Sequence, residues 1–116
     1  MAGAKKEGIS LAEIQEIRRV AHEIGRRFHP ERVVLFGSHA RGENTPDSDV
    51  DLLVVMRHAE RKGFQMASKI RMQIRYPFPM DVLVRTPEEV EERIALGDCF
   101  MKDICEQGMV LYESSN

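Results

Sequence analysis

The segment that most constrains the fold is the run VDLLVVM at residues 50–56, in which every residue except Asp51 is apolar. Successive side chains of an extended strand point to opposite faces of a sheet. The run therefore places apolar groups on both faces, which predicts a strand in the middle of a sheet whose two faces are at least partly covered. The whole chain has 116 residues, the size of one compact domain, so we expect a single domain built around this strand.

A helix is predicted before this strand, because apolar residues recur there at helical spacing. Ser10 and Glu13 have the spacing of a capping box, which marks the start of a helix. His29 and Pro30 mark its end. The apolar residues form one stripe that we expect to be buried, consisting of Leu11, Ile14, Ile17, Val20, Ala21, Ile24 and Phe28.

The rest of the chain alternates between strand and helix patterns. Thr86 and Glu89 form a second capping box with Pro87 at the first helical position, which predicts a helix to about residue 95. Strands are predicted at residues 33–36, 50–56, 80–85 and 109–112, and further helices at residues 59–75 and 98–107. The inner face of the helix at residues 59–75 is expected to comprise Phe64, Ala67, Ile70 and Ile74. These patterns predict one α/β domain over residues 9–116, preceded by a flexible tail at residues 1–8.

Composition and charge exclude several classes of protein. The chain has 17 Lys and Arg residues against 19 Asp and Glu residues, so its net charge of −2 argues against a nucleic-acid binder that relies on a basic surface. No apolar run approaches the ~20 residues needed to cross a membrane. Cys99 and Cys105 have no CxxC spacing, and without a signal peptide in the sequence they favour a reducing, cytoplasmic location. Neither nucleic acid nor a membrane is expected as a partner.

Several other side chains have simple structural interpretations. Cys99 and Cys105 are expected to pack on or near a helix as small apolar groups. The basic helix within residues 61–75 is expected to present a solvated face. The four histidines have no metal-ligand spacing and are expected at the surface, at positions His22, His29, His39 and His58.

The chemically informative segment begins where the first predicted strand ends, at Gly37 and Ser38. Glycine lets the backbone turn sharply and approach a ligand closely. Ser38 would start a short helix, whose first N–H groups and positive dipole end suit a phosphate. Neither a Walker sequence nor a GxGxxG sequence is present. The turn alone is therefore a weak signal, since most such turns only connect elements.

Three acidic residues lie at the starts of two predicted strands. Asp49 and Asp51 are two residues apart, so their side chains point to the same face and their like charges repel unless a cation lies between them. For such a pair alone, exposed loop acids are the simpler interpretation. Asp81 changes this balance, because it is the only acid in the apolar run MDVLV, where β propensity disfavours it. If the two strands are neighbours, three carboxylates meet beside a phosphate-binding turn, which is typical of a two-metal site for phosphoryl or nucleotidyl transfer.

With GSHARG at residues 37–42, SDVDL at residues 48–52 and MDVLV at residues 80–84, the chain resembles the nucleotidyltransferase superfamily of DNA polymerase beta and the aminoglycoside nucleotidyltransferases. Within it, the chain is most similar to the minimal nucleotidyltransferases, small prokaryotic proteins often encoded beside a helical HEPN-domain partner. The resemblance extends from about residue 33 to residue 112. It implies an α/β (α+β) nucleotidyltransferase fold, a short mixed twisted β-sheet with helices packed mainly on one side.

The resemblance also implies catalytic and metal-binding roles. Asp49, Asp51 and Asp81 would be the catalytic carboxylates and would hold Mg²⁺, with two ions expected. Asp81 would also orient or deprotonate the acceptor hydroxyl.

Nucleotide binding is implied for the turn and its surroundings. Gly37 and Ser38 would hold the β- and γ-phosphates of ATP or another NTP. Arg41 matches the arginine of the family motif and would contact phosphate, or would instead brace the loop through a carboxylate such as that of Glu43 or Asp47. Ser48 is a further candidate for nucleotide binding, with capping of the turn before Asp49 as the structural alternative.

The expected reaction is Mg²⁺-dependent transfer of a nucleoside monophosphate, AMP from ATP in the first instance, to a hydroxyl. One small domain leaves little chain to grip an acceptor, so the acceptor is expected on another chain. The resemblance suggests a tyrosine of a HEPN toxin, which would make this protein an antitoxin. A homo-oligomer is also compatible with the sequence. Two alternatives stay open: a non-catalytic antitoxin that masks its partner, and a nucleotidyltransferase acting on an aminoglycoside-like small molecule.

Overall fold

Helices and strands alternate along the chain, and the computed structural model describes the backbone of residues 11–115 and the side chains of residues 13–115. The elements are α1 (Leu11–Phe28), β1 (Arg32–Phe36), α2 (Ser38–Arg41), β2 (Val50–Val55), α3 (Gly63–Gln73), β3 (Met80–Arg85), α4 (Pro87–Ala95), α5 (Cys99–Gln107) and β4 (Met109–Glu113). This order confirms the predicted one. The tail predicted at residues 1–8, and Ser10 of the first capping box, lie outside the described residues.

The four strands form one mixed sheet in the order β3-β2-β1-β4. β1 is antiparallel to both β2 and β4, and β2 is parallel to β3. The helix α3 forms the crossover connection between β2 and β3. The strand predicted to be central, β2, lies between β1 and β3, and five of its six residues are buried. The expected fold class is therefore confirmed.

Helices cover both faces of the sheet. Leu52 and Val54 of β2 pack into a larger core with the two longer helices, α1 and α3. Leu53 and Val55 point the other way into a smaller core, to which α4 and α5 contribute Val90, Met101 and Ile104. The longer helices on one face form the main packing layer, as expected. Of the two nine-residue helices on the other face, α5 borders a cavity that Asp51 also lines.

The helix α3 is shorter than predicted, and three of its four predicted inner residues, Ala67, Ile70 and Ile74, are buried. It begins at Gly63 rather than near residue 59, because the backbone N–H of Lys62 is capped by the Gln65 side chain at 3.0 Å. A Cβ at Gly63 would lie 2.5 Å from the carbonyl oxygen of Val84, so glycine permits the close approach of α3 to β3. Phe64 lies in the first turn and is 68% exposed, so its prediction as a core residue is wrong.

Two further expectations about side chains need correction or refinement. Cys105 is half-buried and packs against the smaller core as expected, whereas Cys99 is exposed at the start of α5. Among the methionines, Met72 projects from α3 with 85% of its surface exposed. None of the helices between residues 11 and 115 combines the length and the apolar character needed to cross a membrane.

Candidate active site

Two of the predicted site residues occupy matching positions on neighbouring strands. Asp51 is the second residue of β2 and Asp81 is the second residue of β3, and they are partners in the parallel register. Both side chains point to the same face as Leu53, which packs in the smaller core. The Asp51 side chain is half-buried and that of Asp81 is exposed. The sheet therefore brings two carboxylates together at the end of the strand pair that solvent can reach.

The third carboxylate, that of Asp49, is exposed immediately before β2. Burial and the negative charges of Asp81 and Asp49 raise the pKa of Asp51, against the opposing effect of His39 and Arg41. The charges of Asp49 and Asp81 thus act on the Asp51 carboxyl. The negative charges nearby disfavour ionisation of Asp51, which is the most buried of the three acids.

The turn between β1 and α2 lies directly against Asp51. Gly37 has φ 79° and ψ −156°, a conformation that is essentially restricted to glycine. A Cβ at this position would collide with Oδ2 of Asp51. The Gly37 carbonyl accepts hydrogen bonds from the N–H groups of Ala40 and Arg41, at 3.1 and 3.2 Å, which closes the single turn of α2. Ser38, the first residue of α2, is therefore held next to the carboxylates.

Arg41 and Ser48 have local partners around this turn. The Nε atom of Arg41 donates to Oε1 of Glu43 at 2.9 Å, and Arg41 also borders a cavity beside Asp51. The Oγ atom of Ser48 accepts a hydrogen bond from the backbone N–H of Thr45 at 2.8 Å. The structural interpretations of both residues are therefore present in the fold. Arg41 and Asp51 both line the cavity, so a ligand in the cavity would lie next to both residues.

His39 is a part of the site that the sequence analysis missed. It is only 5% exposed, so the expectation that all four histidines lie at the surface is wrong for this one. Its Nδ1 atom is 3.0 Å from the carbonyl oxygen of Asp49. This hydrogen bond joins α2 to the segment that enters β2, and so fixes Asp49 relative to the Gly37 turn. The position of His39 directly after Gly37 and Ser38 was the sequence signal that could have pointed to it. Its hydrogen-bond partner is 10 residues away, so that contact depends on the fold.

The donor set fits a divalent cation that arrives with a phosphate-bearing ligand. Among residues 13–115, no three carboxylate, imidazole or thiol groups are arranged to hold an ion by themselves. Mg²⁺ usually takes one or two carboxylates and completes its shell with water and substrate phosphate oxygens. Asp51 and its neighbouring acids Asp49 and Asp81 supply such carboxylates. The raised pKa of Asp51 means that a cation there would relieve unfavourable charge.

Comparison with known proteins gives the family. A family model described as a nucleotidyltransferase domain matches residues 17–107, which include the Gly37 turn and all three acids. The chain belongs to this nucleotidyltransferase family. The matched segment runs from α1 to the end of α5, so the family fold includes both helical layers.

Relatives of this nucleotidyltransferase include proteins of Methanocaldococcus jannaschii. One, named "Putative protein adenylyltransferase MJ0604", is 30% identical over 81 residues, which cover 70% of this chain and 77% of that protein. Another, "Putative protein adenylyltransferase MJ1379", is 44% identical over 46 residues, 39% of this chain and 46% of that protein. A Sulfolobus solfataricus crystal structure described as a "putative nucleotidyltransferase" shares the fold, with a TM-score of 0.60 at 23% identity, covering 88% of this chain and 81% of that one.

Proposed function

We propose that this nucleotidyltransferase transfers AMP from ATP to a hydroxyl group of a protein, with Mg²⁺ as cofactor and pyrophosphate as the second product. The observation that carries the proposal is the in-register pair Asp51 and Asp81 on one sheet face, with Gly37 against Asp51. A nucleotide whose phosphates contact the turn would have its α-phosphate beside the carboxylates. A displacement at the α-phosphorus would then take place beside groups that can hold Mg²⁺.

Each residue of the site has a role in this reaction. The backbone at Gly37 and Ser38 binds the β- and γ-phosphates, and Arg41 offsets their charge. Asp49 and Asp51 hold Mg²⁺, which when bound stabilises negative charge on the phosphates and the leaving oxygen. The buried ring of His39 keeps Asp49 in place through its carbonyl.

Asp81 is the carboxylate assigned to the acceptor. It is exposed on β3, an edge strand of the sheet, so a hydroxyl from another molecule can reach it. Asp81 orients the hydroxyl and accepts its proton. The hydroxyl oxygen forms a bond to the α-phosphorus, the bond from that phosphorus to the bridging oxygen breaks, and pyrophosphate leaves.

The acceptor is proposed to be a tyrosine of a HEPN-domain toxin, so that the protein acts as an antitoxin. Support comes from the sequence resemblance and from the name of the relative that covers most of the chain, which describes a protein adenylyltransferase. The exposed position of Asp81 is compatible with a large acceptor.

The test is to incubate the protein with ATP, Mg²⁺ and the product of the neighbouring gene, and to measure pyrophosphate release and modification of either chain. Asp51→Asn and Asp81→Asn should each lower the rate by at least about 100-fold, the scale of losing a catalytic acid–base or charge-stabilising group. Asp47→Asn is the matched control, because Asp47 is exposed in the turn before the site. Near-normal rates in the Asp51 and Asp81 variants would refute the assignment. Inhibition of the partner without pyrophosphate release would favour the masking antitoxin instead.

A further inference from the structure

A cavity of about 700 Å³ adjoins the candidate active site and has no role in the reaction described above. It lies between the β1–α2 turn and helix α5. Its volume lies within the range of about 300–1,000 Å³ that is typical of small-molecule sites. Gly37, Arg41 and Asp51 border it on one side, so it is continuous with the proposed phosphate and metal site.

The opposite wall of the cavity is one face of α5. Phe100, Asp103, Ile104 and Gln107 line it, at the spacing of three and four residues that places side chains on the same side of a helix. Ile104 is buried and anchors this face to the smaller core. The other three residues are available to a ligand.

Phe100 is the most unusual residue of this wall. The residue lines the cavity and is 57% exposed, although a phenyl ring gains free energy from burial. The ring meets Phe36 edge to face, with centroids 5.8 Å apart and planes at 81°. This contact fixes the orientation of Phe100 and leaves ring surface exposed. An oriented, exposed aromatic ring is a stacking surface for a planar group.

The charges along the cavity give it a direction. Arg41 lies at the end that contains Gly37, where anionic phosphates are favoured. Asp103 lies on the α5 wall and disfavours phosphate there. Its carboxylate accepts hydrogen bonds, and the Gln107 amide both donates and accepts them. The α5 end therefore suits an uncharged group that has a flat apolar face and a polar edge.

We propose that this cavity binds the nucleoside part of the nucleoside triphosphate, with the base stacked on Phe100 and its polar edge bonded to Asp103 and Gln107. The inference rests on the proposed function, because it takes the phosphates to lie at the Gly37 turn. It adds a base-binding subsite on α5, which contributes neither metal ligands nor a catalytic acid.

The test compares two ligands that share phosphates but not a base. Binding of ATP and of inorganic tripolyphosphate is measured by calorimetry in the presence of Mg²⁺, for the full chain and for Phe100→Ala. Loss of stacking should weaken ATP binding by about 5- to 100-fold, the range found when an aromatic ring that stacks on a base is replaced by alanine. Tripolyphosphate binding should change by less than about twofold, since it does not reach α5.

Two further variants keep the result interpretable. Phe100→Tyr keeps a stacking ring and should retain the affinity for ATP. Phe64→Ala removes a comparably exposed phenylalanine, 68% exposed, from α3 outside the cavity. It should change the affinity for neither ATP nor tripolyphosphate. Thermal unfolding of each variant checks that it is folded.

The outcomes separate this inference from the proposed function. An unchanged affinity for ATP in Phe100→Ala overturns the base site, even if transfer activity and its dependence on Asp51 persist. An equal loss for ATP and tripolyphosphate also overturns it, because Phe100 would then act through the phosphate site. If the unmodified chain binds neither ligand, the proposed function itself fails, and the base site with it.

Discussion

Replacement of Asp51 by asparagine should make the protein without metal more stable while it abolishes transfer. Burial and the charges of Asp81 and Asp49 raise the pKa of Asp51 above its ordinary value of 3.8. The folded protein therefore holds this proton more tightly than the unfolded chain. Folding is favoured by protonation, and stability is lost as the pH rises from 3.8 through the folded-state pKa. At pH 7 the ionised carboxylate costs free energy that Asp51→Asn removes.

The size of the effect follows from the position of the pair on the sheet. Asp51 and Asp81 are register partners, and like charges opposite one another on neighbouring strands cost on the order of 0.2–1 kcal/mol. Asp81 is exposed, so water screens part of the repulsion. We expect a gain of about 0.2–1 kcal/mol, or about 1–5 °C in Tm for a domain of this size. The carboxylate accepts no hydrogen bond from residues 13–115, so asparagine loses none of the described contacts.

The assay is chemical and thermal unfolding at pH 7 in EDTA, repeated at pH 4. The stability difference between the two proteins should shrink at pH 4, because the raised pKa of Asp51 favours its protonated form as the pH falls. Asp47→Asn, with an exposed acid, should stay within about 0.5 kcal/mol of the unmodified protein. A loss of more than about 1 kcal/mol in Asp51→Asn at pH 7 would refute the reasoning, because the ionised carboxylate would then be stabilising the fold. Adding Mg²⁺ and ATP should raise the Tm of the unmodified chain only, and removing the metal should reverse this.

Three other substitutions test separate parts of the structure. Gly37→Ala should lower the free energy of unfolding by about 1–3 kcal/mol, because alanine disfavours this backbone conformation. It should also abolish transfer by displacing Asp51. Wild-type stability in denaturant unfolding would contradict the geometry. His39→Ala should cost about 1–3 kcal/mol, because the Asp49 carbonyl loses its buried partner, and should weaken Mg²⁺-dependent ATP binding in calorimetry. An unaltered affinity for ATP would remove His39 from the site. Ile70→Ala, at a fully buried position, should cost about 2–5 kcal/mol in denaturant unfolding; a cost under 1 kcal/mol would argue against the packing of α3 on the sheet.

Elements specified by neighbouring residues could be predicted from the sequence. Helix α4 begins at Pro87 as expected, because the Thr86 hydroxyl accepts the N–H of Glu89 at 3.1 Å and the Glu89 side chain accepts the N–H of Thr86 at 2.8 Å. The hydrophobic run of β2 identified the centre of the sheet in the same way. The position of Asp81 beside Asp51 required only that two predicted strands be neighbours.

Features that depend on distant contacts could not be predicted. Phe64 has the spacing of a core residue, but it follows Gly63, where α3 begins and comes close to the carbonyl oxygen of Val84 on β3. The burial of His39 follows from a hydrogen bond to Asp49 across the turn. The cavity at Phe100 exists because α5 returns over the face that carries the acids, which no local pattern encodes.

The most direct test of the central claim is which phosphate of ATP reaches the acceptor. Reactions with Mg²⁺ and the partner protein are run in parallel with ATP labelled at the α- or at the γ-phosphate, and the label on protein is measured. We expect the α-label to be transferred to protein and the γ-label to be released in pyrophosphate. Both the transfer and the release should be lost in Asp51→Asn. Transfer of γ-label, or α-label transfer that persists in Asp51→Asn, would contradict the assignment of this site to nucleotidyl transfer.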